Sequence, residues 1–278
     1  MNNKYICSIV YFDYNHSFDK LQYDPTFYNN EGKMYKTMCD VLIKSIKKNI
    51  PHFEIDLHNA QPPNFNNFKG FNTKPSWASN IVKLEIWNDL IQKSNTGDKI
   101  ALLDCDTLVT KDFSDVFNND FDVAFTDKPE PEGTFNGGVI FVNVNDASKE
   151  FFNIFLKINY KMLEDKEFHE KYRKKYSGMN QSAMGYLYEL YSKDNKYILK
   201  VLPGKLYNQA HIEHFETGEI GYIIHYINIL RYLTLVGFDY TTNPGFKYSI
   251  KIKKLDNETK NILKKFVDIW HEYENMNI

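Results

Sequence analysis

Two aspartates separated by one residue, Asp104 and Asp106, follow directly on the apolar run Ile100–Leu103. On an extended backbone, side chains at i and i+2 point the same way. Both carboxylates then share one face, and Cys105 packs towards the other. Adjacent carboxylates repel unless a proton or cation lies between them. A hard divalent cation is the natural occupant, and Mg²⁺ or Mn²⁺ held this way usually also takes phosphate oxygens. The plainer alternative is a solvated acidic loop. The buried strand immediately upstream favours the metal, because ligands of open α/β sheets sit beyond the carboxyl ends of strands.

Three further clusters follow. In Phe135-Asn136-Gly137-Gly138 the glycines permit close backbone approach to a ligand, and Asn136 offers both donors and acceptors. Taken alone, the segment reads as a tight turn into a strand. Asn180-Gln181 presents two adjacent amides where a helix opens; an Asn cap with a solvated Gln is the ordinary reading. His225 ends the apolar run Tyr222–His225, where a lone histidine is more often a satisfied core residue than a ligand. Arg231 lies six positions on. Of the 34 basic residues only Arg173 and Arg231 are arginine. An arginine kept against that bias suggests a site needing a planar, multidentate donor, such as one for diphosphate. Arg173, inside a run of lysines, reads as surface charge.

The elements that must position these residues are legible in the apolar pattern. Tyr5–Phe12 reads as a buried first strand, and Tyr35–Asn49 has helical spacing closed by Pro51. Phe53–Leu57 is a short strand. Residues 59–76 carry three prolines and no period, a long loop suited to a lid over a ligand. Ser76 is placed to cap a helix over Trp77–Ile91. Gly97-Asp98 turns the chain into the strand Lys99–Leu103. Val123–Thr126 and Val139–Val144 are further strands, with helices near Ala147–Leu163 and Gln181–Leu190. The chain ends in an amphipathic helix bearing Leu263, Phe266, Val267, Trp270 and Tyr273. Alternating strands and helices predict an α/β architecture, a mostly parallel central sheet flanked by helices.

The 278 residues suffice for one substantial core, and a net charge of −2 argues against general polyanion binding. Three widely spaced cysteines make neither a disulfide framework nor a zinc site. The N-terminus lacks a signal-peptide pattern. The longest apolar stretch, Ile220–Phe238, is interrupted by His225, Asn228 and Arg231, which makes it a poor membrane span. These features predict a cytoplasmic protein with no integral membrane segment. The Lys, Asn, Tyr, Phe and Ile bias suits an AT-rich genome, bacterial, phage or viral.

Two families place Asp-x-Asp after a strand. In phosphatases of the haloacid-dehalogenase type it lies on the first strand and needs a later acidic motif. Here it comes at mid-chain, and no downstream strand ends in an acidic pair. The order LLDCDTLV, FNGGVIFVN, MNQSAM and HYINILR instead resembles the glycogenin-like retaining glycosyltransferases of family 8, across residues 76–232. The resemblance implies a GT-A (Rossmann-like nucleotide-diphospho-sugar transferase) fold, a single domain over 1–278. Residues 1–110 would form its nucleotide-binding half, 111–232 its donor-sugar and acceptor half, and 233–278 a C-terminal strand and helix. It implies that Asp104, Asp106 and His225 ligate Mn²⁺ or Mg²⁺ with the donor diphosphate. Arg231 and Lys83 would contact phosphate. Asn136, with Gly137 beside it, and Asp127 would meet sugar hydroxyls. Gln181, with Asn180, would lie near the anomeric carbon, and Tyr11 or Tyr14 would stack on the base. Asn180 stands where the family has Asp, and Asn228 where it has Gly.

The implied function is metal-dependent transfer of a hexose from a nucleotide sugar, a UDP-sugar by resemblance, to an acceptor hydroxyl. The Asn180-Gln181 site offers neither a base nor a carboxylate nucleophile, so the resemblance favours retention by same-face attack assisted by the leaving diphosphate. Inverting transfer, with Glu130 or Glu132 as base, and a catalytically silent nucleotide-sugar-binding domain are the alternatives. The acceptor would be a glycan, a protein or nucleic acid. Over Phe246–Lys253, alternating Lys247, Lys251 and Lys253 predict a strand with one lysine face; a solvated edge is its ordinary role, an anionic acceptor strip the functional one.

Overall fold

The computed structural model describes residues 3–12, 31–61, 75–129, 135–194, 196–236 and 251–277. Its core is a six-stranded sheet. In chain order the strands are β1 (Tyr5–Phe12), β2 (Glu54–Ala60), β3 (Lys99–Asp104), β5 (Val123–Asp127), β6 (Phe135–Asn143) and β7 (Leu199–Leu202), arranged β2-β1-β3-β6-β5-β7. Strands β1, β2 and β3 run parallel, as do β5 and β7. Strand β6 is antiparallel to both of its neighbours, which joins the two parallel sets. The continuous apolar runs follow from burial on both faces. Ile6 and Val10 of β1 and Ile100 and Leu102 of β3 face one layer. Cys7, Ile9, Ala101 and Leu103 face the other.

The first face is covered by α2 (Pro75–Lys93), α3 (Asp146–Glu164) and α5 (Asn180–Tyr191), through Trp87, Phe151, Phe155 and Met184. The second is covered by α1 (Glu31–Asn49) and a 3-10 turn at Ser114–Asn118. A further apolar cluster joins α1 to α7 (Asn228–Val236) and α8 (Asn257–Glu274), around Met38, Leu233, Phe266 and Trp270. The helix α4 (Lys166–Tyr176) and the short α6 (Gly204–Tyr207) complete the set. A two-stranded ribbon, β4 (Thr107–Val109) with β8 (Ile223–His225), stands beside the main sheet.

Three expectations are corrected. Helix α2 opens at Pro75, so Ser76 lies inside it and is not its cap. The C-terminal end of the predicted lysine strand is helical at residues 251–253, where Ile252 is buried and Lys251 and Lys253 are exposed; a helical turn cannot present alternate residues on one face. Lys247 lies outside the described residues, and a nucleic-acid acceptor has no support from that segment. Cys105 and Asp106 form a turn, not an extension of β3. Among the described residues no helix is long and apolar enough to cross a membrane.

Candidate functional site

Strand β3 delivers Asp104 to the carboxyl edge of the sheet, and the chain turns there at once. The Thr107 hydroxyl donates to the Asp104 carbonyl (2.8 Å), and the Tyr226 N–H donates to the Asp106 carbonyl (2.8 Å). These bonds fix the turn, and the turn rather than a shared strand face makes the two carboxylates converge. Pairing of Thr107 with His225 in the β4–β8 ribbon then brings the imidazole alongside.

Asp104, Asp106 and His225 form a cluster whose ligand atoms all lie within 4.8 Å of one another. His225 Nε2 is 3.2 Å from Asp106 Oδ1 and 3.9 Å from Asp104 Oδ2. The other oxygen of each carboxylate is held by a fixed cation. Lys83 Nζ pairs with Asp104 Oδ1, and the Arg231 guanidinium pairs with Asp106 Oδ2. Lys83 rises from α2 with its ammonium 4.7 Å from the Trp87 ring centroid. Arg231 also donates from Nε to the Tyr226 carbonyl (3.1 Å) and lies 5.7 Å from the Tyr35 ring centroid. Burial alone pushes the Asp106 carboxyl up, but Arg231 and His225 outweigh it and hold the group well below the usual carboxylate range. Asp104 is the more open of the pair, its side chain 25% exposed against 6% for Asp106.

The far side of the His225 ring is packed. Nδ1 lies 2.9 Å from Oδ1 of the buried Asn208. Gly138 of β6 lies against the ring edge, where a Cβ would fall 2.2 Å from His225 Cε1. The requirement for glycine here is close approach to a side chain. A Cβ on Gly137 would meet only Met184 Sδ at 3.8 Å and Gln181 Cδ at 4.0 Å.

A cavity of about 520 Å³ opens over the cluster at the ends of β1 and β3. It is lined by Asp104, Asp106, His225, Lys83, Arg231, Asn136 and Gln181, all foreseen as site residues, and by Val10, Phe12, Tyr35, Asn80, Lys128 and His211, which were not. Asn136 accepts the Gly138 N–H on Oδ1 (3.0 Å). Asn180 sits behind Gln181, donating to the Asn80 carbonyl (3.3 Å); its Oδ1 is buried without a hydrogen-bond partner among the described residues. Asp127 is not among the residues lining the cavity, and its Oδ1 accepts the Gly204 N–H at the start of α6. Tyr11 points to the opposite sheet face from Val10 and Phe12 and packs with the second apolar layer. Tyr14, Glu130 and Glu132, and 62–74 of the proline-rich loop, lie outside the described residues.

Lys128 sits next to the expected Asp127, so adjacency was its available signal; Tyr35 meets Arg231 only in the fold and carried none in the sequence. Asn208 was missed: it stands beside Gln209 in a second Asn-Gln pair, which no motif order marked.

No family model matches this chain, and no curated protein matches it. Among solved structures, the glycosyltransferase GlyE of Streptococcus pneumoniae TIGR4 superposes with a TM-score of 0.52 at 15% identity, over 99% of this chain and 62% of that one. Its apo form superposes with a TM-score of 0.50 at 15% identity, over 99% and 61%. The chain thus spans somewhat less than two thirds of the length of these neighbours. The likeness is one of fold, and with the strand order above it gives the chain the GT-A glycosyltransferase fold.

Proposed function

We propose that this protein is a metal-dependent glycosyltransferase that takes a hexose from a nucleoside diphosphate sugar, a UDP-sugar by motif resemblance, and transfers it to an acceptor hydroxyl with retention. The observation that carries this reading is the division of labour in the acidic pair. Each carboxylate gives one oxygen to a fixed cation and turns the other towards His225 Nε2, at the floor of a cavity at the carboxyl edge of the sheet. Two carboxylate oxygens and one imidazole nitrogen suit Mn²⁺, with Mg²⁺ the harder alternative. Asp104, Asp106 and His225 would hold the ion, which supplies Lewis-acid stabilisation of the departing diphosphate.

The remaining roles fall to residues of this chain. Lys83 and Arg231 keep the carboxylates oriented and add positive charge beside the place where phosphate charge develops. Asn136 and Gln181 offer amide donors and acceptors to sugar hydroxyls across the cavity. The carboxylates lining the cavity among the described residues are Asp104 and Asp106, both engaged. That supports same-face attack assisted by the leaving diphosphate over a carboxylate nucleophile or base. The acceptor is a glycan or protein hydroxyl. Residues 1–110 would supply the nucleotide side of one domain and 111–232 the sugar side, with the site inside the cytoplasm.

The test is incubation with a panel of nucleotide sugars and Mn²⁺, following free nucleoside diphosphate, with anomer-resolved NMR of the product. Asp106→Asn should abolish metal-dependent turnover while the chain stays folded by circular dichroism. Absence of turnover and of Mn²⁺-dependent nucleotide binding with every donor would refute the reading.

A further inference from the structure

His225 can ligate a cation through Nε2 only if its ring proton sits on Nδ1, and the surrounding hydrogen bonds decide where that proton goes. The Asn136 main-chain carbonyl can only accept. Thr126 Oγ1 lies 3.1 Å from it and so donates its one proton there. With that proton committed, Thr126 Oγ1 is an acceptor for Asn208, whose amide lies 2.7 Å away and meets it through Nδ2. The amide orientation is thereby fixed. Asn208 Oδ1 then faces His225 Nδ1 at 2.9 Å and must receive a proton from it. Thr126, Asn208 and His225 are 0%, 0% and 3% exposed, so water does not compete for these positions. Each link is a one-way donor, and the direction starts from a carbonyl that cannot reverse.

We propose that Asn208 is a positioning residue that locks His225 as the Nδ1–H tautomer, and that Thr126 sets the orientation of the Asn208 amide. Nε2 is thereby left to face Asp104 Oδ2 and Asp106 Oδ1, where a bound cation would take its lone pair as the third donor of the cluster. Partners of this kind behind a metal-ligating histidine hold ring orientation and tautomer, and their loss typically costs 10–100-fold in metal affinity. The chain also ties the ligand to β6, since its anchor is the backbone of Asn136, whose side chain lines the same cavity. The role in metal binding rests on the proposed metal site; the tautomer itself does not.

The test uses the full chain with ¹⁵N-labelled histidine. Long-range ¹H–¹⁵N correlation in the metal-free protein should show a proton fixed on His225 Nδ1. Asn208→Ala should give a mixture of tautomers and weaken Mn²⁺ binding, followed by electron paramagnetic resonance of the free ion, by about 10–100-fold. Asn208→Asp, which keeps an acceptor at Nδ1, should retain the tautomer and recover most of the affinity. Thr126→Val is near-isosteric and touches no ligand of the cluster. It should still mix the tautomers by freeing the Asn208 amide to turn, and it serves if Asn208→Ala fails to fold. An Nε2–H tautomer in the unaltered protein would overturn the proposal. So would a foldable Asn208→Ala or Thr126→Val chain with the Nδ1–H form and Mn²⁺ affinity both unchanged. If the Nδ1–H form is found and Mn²⁺ does not bind at all, the lock is supported and the metal reading of the site is refuted.

Discussion

Replacing Gly138 by alanine adds one methyl group at the most crowded point of the site. The new Cβ would stand 2.2 Å from His225 Cε1, 2.6 Å from Nδ1 and 3.1 Å from Asp104 Oδ2, whereas ordinary contact begins at 3.4 Å. Strand β6 cannot retreat, because it is paired along β3 on one side and β5 on the other. The ring must therefore move. It is 3% exposed, and any retreat of the size required stretches the 2.9 Å bond to Asn208 or changes the 3.2 Å approach to Asp106. Overpacking of this kind costs about 1–3 kcal/mol. In a chain of this size each kcal/mol lowers Tm by about 2–4 °C. The effect on the ion should be larger than the effect on the fold, since ligand distances tolerate only about ±0.2 Å. Gly137→Ala is the internal control, because its Cβ meets nothing nearer than 3.8 Å. It should leave Tm and Mn²⁺ affinity unchanged within about 0.5 kcal/mol. Thermal melts and Mn²⁺ titration of the two variants in parallel would check this. If Gly138→Ala binds Mn²⁺ as tightly as Gly137→Ala, the placement of His225 as a ligand against β6 is wrong.

Arg231→Met should leave the buried Asp106 carboxylate without its strongest partner and destabilise the fold by about 3–5 kcal/mol at pH 7. Because the folded Asp106 pKa is depressed, the stability this pairing contributes is present above the unfolded value near 4 and is lost as pH falls towards the folded one. Denaturant melts should therefore show the gap between the two proteins closing below about pH 4; a gap independent of pH would refute the pairing. The three thiols should resist a thiol reagent at pH 8 in the native chain and react fully on unfolding. All are buried, and burial pushes Cys39 up to about 12 and Cys7 and Cys105 well above their usual value.

The parts of the fold legible in the sequence are those whose burial leaves a period. Strands β1, β3, β5 and β6 are continuous apolar runs, and α1, α2, α3, α5 and α8 carry apolar stripes, so each was found within a few residues of its ends. Direction is not written in such a run, and the antiparallel course of β6 was invisible. The run that forms β8 was seen as apolar, but its pairing with β4 was invisible for another reason: three-residue strands are too short to show alternation. That ribbon is what carries His225 to the aspartates, so the sequence could suggest the histidine only through motif order. Arg231 was found by composition, as one of two arginines among 34 basic residues. Asn208 was not found, because its role comes from a chain of contacts between β5, β6, the end of α6 and β8, which no local pattern encodes.

The charge arrangement explains why the acidic pair and the two cations occur together. Formally, Lys83 and Arg231 cancel Asp104 and Asp106, and a His225 that ligates a cation does so as the neutral ring. Four charged side chains can then share one edge of the sheet with little net repulsion, which permits the burial of Asp106 against the half-buried Arg231. A divalent ion bound between the remaining carboxylate oxygens leaves its whole charge facing the cavity, next to walls of low polarisability such as Val10 and Phe12. A diphosphate dianion is the complement of that charge. On this arrangement the metal and the nucleotide favour each other reciprocally, and neither cation has to leave its carboxylate to make the donor site positive. A site built from lysines alone would attract phosphate in any state. This one is close to neutral among its four fixed charges, so under the proposed function the same residues that balance the fold would also make donor binding conditional on metal.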